Sequence, residues 1–199
     1  MESDAAEVAG IYRPYVESTP ISFELDPPSE GDIRRRIAET TASYPWLVYE
    51  ADGHVIGYAY ASAHAPRAAY RWSVDTAVYV DIARHRRGVG RDLYAALFPL
   101  LVAQGYFSAY AGITLPNPAS VGLHEAVGFR PVGVYHNVGY KMGAWYDVGW
   151  WELTLQPYRP EPPEPRAEEP PAHAETRFWV RSALRRRWRK HGGYDARKG

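Results

Sequence analysis

The chain has no cysteine in its 199 residues. That excludes a disulfide framework, a cysteine-ligated zinc site and a thiol nucleophile supplied by this chain. No apolar run approaches the roughly 20 residues that span a bilayer. The opening Met1-Glu2-Ser3-Asp4 lacks the basic-then-apolar pattern of a signal peptide, so the expectation is a soluble cytoplasmic protein. Net charge is absent too, with 23 Lys and Arg against 23 Asp and Glu. The balance hides a division: residues 157–199 carry 11 Lys and Arg and 6 Asp and Glu, and residues 1–156 carry 12 and 17. An acidic body argues against a nucleic-acid-binding core.

Against that background one basic stretch stands out. Val78-Tyr79-Val80-Asp81-Ile82-Ala83-Arg84-His85-Arg86-Arg87-Gly88-Val89-Gly90-Arg91 reads as an apolar strand, a glycine loop and a helix start. The first amides of a helix have no intrahelical partner and sit at the positive end of its dipole, which suits them to a phosphate. Gly88 and Gly90 allow close backbone approach, and Arg86, Arg87 and Arg91 supply donors from the sides. The third glycine of a dinucleotide fingerprint and the Gly-Lys-Ser/Thr ending of a nucleotide P-loop are both missing, so neither applies. Taken alone, the loop also reads as a solvated basic turn.

The rest of the first 156 residues alternates helical and strand patterns. Ala5, Val8, Ile11 and Tyr12 have helical spacing, with Pro14 marking the approximate end of a first helix. Ser29-Glu30-Gly31-Asp32 has the form of a capping box before a second helix over residues 33–40. Residues 46–50 and 55–63 read as a hairpin, and residues 71–80 as a further strand. A helix is expected over residues 89–103, a strand over 106–113, and a short helix over 119–127 with Asn117 as its cap and Pro118 at its first position. Residues 131–140 and 145–155 complete the set as two aromatic-rich strands. The pattern predicts an α/β fold with a mixed sheet flanked by helices. Residues 157–176, rich in proline and glutamate, read as an extended linker, and residues 177–199 as a basic, amphipathic helical tail or a loosely docked one.

Five segments occur in a telling order: Pro45-Trp46-Leu47-Val48, Tyr70-Arg71-Trp72-Ser73-Val74-Asp75, Leu115-Pro116-Asn117, Leu123-His124-Glu125-Ala126-Val127-Gly128-Phe129, and Val138-Gly139-Tyr140-Lys141-Met142-Gly143-Ala144-Trp145-Tyr146-Asp147-Val148. Together with the basic loop they resemble the phosphinothricin N-acetyltransferase branch of the GNAT (GCN5-related N-acetyltransferase) superfamily, over roughly residues 2–156. Two departures accompany the resemblance. Family members begin with a short strand, so either one lies upstream of Met1 or the sheet lacks it. Asp75 stands where the best-known members carry a glutamate as proposed general base.

The resemblance implies acetyl-CoA as co-substrate, without a metal. Its pyrophosphate would lie on Arg86, Arg87, Gly88, Val89, Gly90 and Arg91, and its pantetheine arm along Val78, Tyr79 and Val80, with Asn117 as a further contact or simply a helix cap. Asp75 is the expected base, and His124 either the general acid or a substrate contact. Arg67 and Tyr70 match positions that hold an amino acid acceptor, and Phe23 and Tyr79 are candidate pocket walls. The expected reaction is acetylation of a small amino acid analogue such as phosphinothricin or methionine sulfoximine. Alternatives are another amine or a protein amine as acceptor, or a non-catalytic acyl-CoA-binding module whose basic tail touches nucleic acid, membrane or a partner. A homodimer is expected by resemblance, through the aromatic strands near the end of the domain.

Overall fold

The computed structural model describes residues 2–166; the expected basic tail, and the linker beyond residue 166, lie outside the described residues. Helix α1 (Ala5–Glu17) buries Val8, Ile11, Tyr12, Tyr15 and Val16 along one stripe. It runs past Pro14, the residue expected to stop it, because the carbonyl of Pro14 still accepts the Ser18 amide at 3.0 Å. Helix α2 (Glu30–Thr41) starts a turn earlier than its apolar pattern suggested, at the capping box itself. Ser29 Oγ accepts the Asp32 amide and Asp32 Oδ2 accepts the Ser29 amide, each at 3.1 Å, so two otherwise unpaired donors are satisfied.

Strands β1 (Trp46–Ala51) and β2 (His54–Ala63) form the hairpin, turning through Asp52 and Gly53 at φ of 54° and 82°. Two successive positive φ angles match the twist of a two-residue hairpin turn. Then follow β3 (Ser73–Val80), helix α3 (Val89–Gln104), β4 (Ser108–Leu115), helix α4 (Pro118–Ala126), β5 (Arg130–Lys141) and β6 (Ala144–Thr154). The six strands lie in the order β1-β2-β3-β4-β6-β5, antiparallel except for β3 beside β4. Among the described residues no strand precedes α1.

The sheet separates two apolar layers. On one face Leu93, Tyr94, Leu97 and Leu101 of α3 pack on Leu47, Ala59, Val74, Ala109 and Ile113. On the other, α1 and α2 cover Val48, Val55 and Tyr58. Period-2 alternation along β3 sends Val74, Val78 and Val80 to the α3 layer and Asp75 and Tyr79 to the α1 layer. The parallel pair β3–β4 is matched only over Ser73–Asp75 and Ser108–Tyr110, after which the strands part. Five residues of β3 therefore present an edge without a β4 partner, and the sheet opens a cleft at its centre.

Residues 157–166 have no regular structure, as their proline content suggests, yet they lie against the domain. Trp72 Nε1 donates to the Pro163 carbonyl at 2.8 Å, Arg71 pairs with Glu164, and the Arg166 amide donates to the Gln104 carbonyl at 2.9 Å. These ten residues form a strap past the starts of β3 and β4 and the end of α3.

Candidate active site

The basic loop follows β3 directly. A short 3₁₀ turn over Ile82–Arg84 leads into Gly88, which caps α3 at φ 85°, a left-handed conformation that glycine adopts without strain. Gly88 offers no side-chain cap, so the first amides of α3 remain available to an anion. A Cβ on Gly90 would stand 2.8 Å from Leu123 Cδ2, so α3 starts close against α4 and any larger residue would push the Leu123 side chain aside. Arg86, Arg87 and Arg91 are exposed around the turn. Along β3 the Asp81 amide donates to Ile56, so alternation turns the polar groups of Val78 and Val80 toward the parted edge. The Val80 carbonyl is already taken by the Tyr15 hydroxyl at 2.6 Å and His85 Nε2 at 3.1 Å, which leaves Val78 the freer of the two. A helix start without a side-chain cap, exposed arginines around it and an open strand edge fit the pyrophosphate and amide arm of acetyl-CoA.

Asp75 sits where β3 and β4 begin to part, facing Tyr110 across the pairing. Its Oδ1 lies 2.6 Å from His64 Nδ1, and the side chains are 31% and 24% exposed respectively for Asp75 and His64, so the pair is sheltered but still reached by solvent. Burial pushes the Asp75 carboxyl above its ordinary range, and the hydrogen bond and charge of His64 pull partly against that. The His64 ring is stacked on Tyr110 at 4.3 Å and meets Tyr70 and Trp150 edge-on at 5.8 and 6.2 Å. The indole Nε1 of Trp150 is buried with no hydrogen-bond partner among the described residues. Across β2, Tyr60 stacks on Trp46 at 4.5 Å, and burial raises its hydroxyl pKa.

The loop between α1 and α2 lies against β5. The Phe23 ring lies on Gly139 of β5, where a Cβ would come within 2.2 Å of it, and remains 38% exposed. On either side the loop is fastened. Ser22 gives its carbonyl to Lys141 Nζ at 2.7 Å, and Glu24 takes two hydrogen bonds from Arg36, at 2.7 and 3.0 Å, and one from Tyr12 at 2.9 Å. Burial pushes the Glu24 carboxyl upward, but the bonds from Arg36 and Tyr12 outweigh it and hold the group below its ordinary range.

Several expected residues fall elsewhere or carry other duties. His124 is buried in the α3 layer, 4% exposed. Its Nδ1 is 2.8 Å from the Ser120 carbonyl, which can only accept, so Nδ1 carries the proton and Nε2 accepts from the Tyr94 hydroxyl at 2.8 Å. Burial lowers its pKa, which keeps the ring neutral. With both nitrogens engaged, His124 has none to offer an acceptor or a leaving thiolate in this arrangement, contrary to its expected role. Tyr79 also moves: its ring is packed edge-on by Tyr12 and Tyr15 beneath α1, away from the pocket wall it was expected to form. Asn117 caps α4, Oδ1 accepting the Ser120 amide at 3.1 Å, which leaves its amide nitrogen for another partner. Arg67 is exposed just before the turn that carries Tyr70, and among the described residues its guanidinium has no ion pair.

His64, Tyr60, Tyr110 and Trp150 escaped the sequence reading. For His64 a signal existed: Ser62 pairs with Asp75, and a residue two further along the same face lands beside that carboxylate. Reading it required the register of β2 against β3, which neither strand's composition specifies.

Residues 1–150 match the acetyltransferase (GNAT) domain family. The chain is 39% identical over 163 residues to the phosphinothricin N-acetyltransferase of Streptomyces viridochromogenes, covering 82% of this chain and 88% of that one. It is 34% identical over 165 residues to the L-methionine sulfoximine/L-methionine sulfone acetyltransferase of Pseudomonas aeruginosa, covering 80% and 94%. Its fold is similar to the crystal structure of a phosphinothricin acetyltransferase from Sinorhizobium meliloti in complex with acetyl-CoA, with a TM-score of 0.74, 30% identity, and coverage of 92% and 96%.

Proposed function

Since the chain belongs to the GNAT acetyltransferase family and is an acetyl-CoA-dependent N-acetyltransferase, we propose that its acceptor is the primary amine of a small, anionic amino acid analogue of the phosphinothricin or methionine sulfoximine type. The observation that carries this reading is the sheltered Asp75 carboxylate at the point where β3 and β4 part, paired with a His64 ring that Tyr110, Tyr70 and Trp150 surround. Relatives named for those two acceptors add their weight.

Bound acetyl-CoA supplies an activated thioester. The residues of this chain do the rest. The α3 amides with Arg86, Arg87 and Arg91 hold the pyrophosphate, and the free edge at Val78 orients the arm so that the carbonyl lies near Asp75. Phe23, Tyr70 and Trp150 wall the acceptor pocket and restrict water. Arg67 binds the acceptor's acidic group through forked donors. The Asp75 side of the cleft takes a proton from the ammonium, because only a neutral amine has the lone pair that attacks the carbonyl carbon. An amide on the β3 edge stabilises the oxyanion. Protonation of the departing thiolate falls to solvent, since His124 is committed elsewhere.

A homodimer fits the exposed apolar surface of the last two strands and the turn between them, where Val134, Tyr135, Val138, Tyr140, Met142 and Trp145 are exposed. The reading places the enzyme in the cytoplasm with its co-substrate. Partner binding by residues 177–199 is a separate proposal, and attachment to nucleic acid would weaken steeply with salt. The experiment that tests the function is an acceptor screen of the purified chain with acetyl-CoA, following thiol release and N-acetyl product by mass spectrometry. Phosphinothricin or methionine sulfoximine should be acetylated well ahead of simple amines. Equal turnover of amines that lack an acidic group would overturn the assignment.

A further inference from the structure

The shortened carboxylate at position 75 has a partner that changes what it does. We propose that His64, and not Asp75, takes the proton from the acceptor ammonium, with Asp75 orienting its ring and stabilising the imidazolium. The inference rests on the reading that the acceptor occupies this side of the cleft.

The hydrogen bond fixes the chemistry of the ring. A carboxylate can only accept, so at 2.6 Å from Asp75 Oδ1 the nitrogen that carries the proton is His64 Nδ1. The lone pair then lies on Nε2, which has no hydrogen-bond partner among the described residues. Ring rotation is restricted, because one face stacks on Tyr110 at 4.3 Å and Tyr70 and Trp150 close on it edge-on. The remaining exposure of the side chain, 24%, is the access an acceptor needs. The titratable groups facing the ring are Asp75 of β3, Tyr70 of the turn after β2 and Tyr110 of β4, with Glu152 and Tyr158 beyond Tyr110; Trp150 of β6 is uncharged. Asp75 is the near negative charge that a protonated ring would gain from. Imidazoles are in general better matched than carboxylates to removing a proton near neutral pH, since their reference pKa values are about 6.5 against about 3.9.

An ammonium proton passes to His64 Nε2 while Nδ1–H stays with Asp75, giving an imidazolium–carboxylate pair and a neutral amine. The amine lone pair forms the C–N bond, the C–S bond breaks, and the sulfur keeps the electron pair. The second amine proton goes through water to the thiolate, and His64 returns its own to solvent. Net, one proton is released for each acetyl group transferred.

The test uses the full chain with acetyl-CoA and methionine sulfoximine. His64→Gln keeps a donor for Asp75 but has no basic nitrogen, and His64→Phe keeps the ring stacking without either nitrogen. Both should lower kcat/KM at neutral pH at least about a hundredfold, through kcat, with acetyl-CoA affinity unchanged. Both should also lose the acidic limb of the pH profile, leaving a residual rate that follows the acceptor's own free amine. Nitrogen NMR of the resting enzyme should show His64 protonated at Nδ1 only. Near-normal rate with the acidic limb intact in both variants, while Asp75→Asn is inactive, would make Asp75 the direct base and overturn the proposal but not the site. Normal rate in Asp75→Asn would remove Asp75 from the pair. Normal rate in all three would overturn the site assignment as well.

Discussion

Replacing Gly139 by alanine adds one methyl group at the place where Phe23 crosses β5. That Cβ would lie 2.2, 2.3 and 2.8 Å from three ring carbons of Phe23. Carbon atoms rest at about 3.5–4.0 Å, so the ring must retreat by roughly 1.5 Å. The loop cannot follow it easily, because Ser22 is held by Lys141 and Tyr12, and Glu24 by Arg36 and Tyr12. The ring therefore swings on its own bonds into a strained rotamer, at about 0.5–1.5 kcal/mol, toward the open side where it is 38% exposed. Since a shift of 1 kcal/mol moves the melting temperature of a domain this size by only about 2–4 °C, stability changes little. The acceptor pocket changes more: KM for methionine sulfoximine should rise by about tenfold, while KM for acetyl-CoA stays put. Gly133→Ala is the control, on the same strand with no atom within 4 Å of the added Cβ, and should match the wild type in both. Steady-state kinetics in both substrates checks this, and an unchanged acceptor KM in Gly139→Ala would show that Phe23 does not border the pocket.

Lys141→Met removes the buried ammonium that donates to the Val16 and Ser22 carbonyls at 2.6 and 2.7 Å, and leaving both unpaired should cost roughly 2–3 kcal/mol in denaturant unfolding. His124 has a folded pKa below its ordinary 6.5, so its contribution to stability is whole above that value and lost as pH falls below it; His124→Gln should flatten this part of the stability–pH curve, measured by thermal melts. Arg67→Ala should raise KM for an anionic acceptor at least about tenfold, the scale of ~1.4 kcal/mol for one charge-assisted contact, with acetyl-CoA affinity unchanged. A similar loss with amines that lack an acidic group would mark Arg67 as structural.

The capping box at Ser29, the Asp52-Gly53 turn and the Asn117-Pro118 helix start all announced themselves in the chain because each is a local backbone requirement met by adjacent residues. The Arg-rich loop was legible for the same reason. What escaped depended on contacts between distant segments. Nothing near His124 in sequence shows that Tyr94, thirty residues earlier, takes its Nε2. The pairing of His64 with Asp75 follows from a hairpin register, and the fastening of the Phe23 loop depends on Lys141, far along the chain. Composition marked residues 157–166 as irregular and was silent on their docking, since Trp72 and Gln104 hold them through backbone carbonyls and amides that any sequence offers.

The most direct test of the account is the activity of Asp75→Asn, measured as kcat/KM across pH beside its melting temperature and acetyl-CoA affinity. Burial raises the folded pKa of Asp75, so its stabilising contribution is present at acid pH and lost as pH rises through that value; at neutral pH the ionised side chain is a cost, and asparagine should not lower the melting temperature. Acetyl-CoA should bind as before. The account predicts a loss of at least about a hundredfold in kcat/KM at neutral pH, partly recovered at high pH as free amine accumulates. Turnover near that of the wild type across the whole pH range would contradict it.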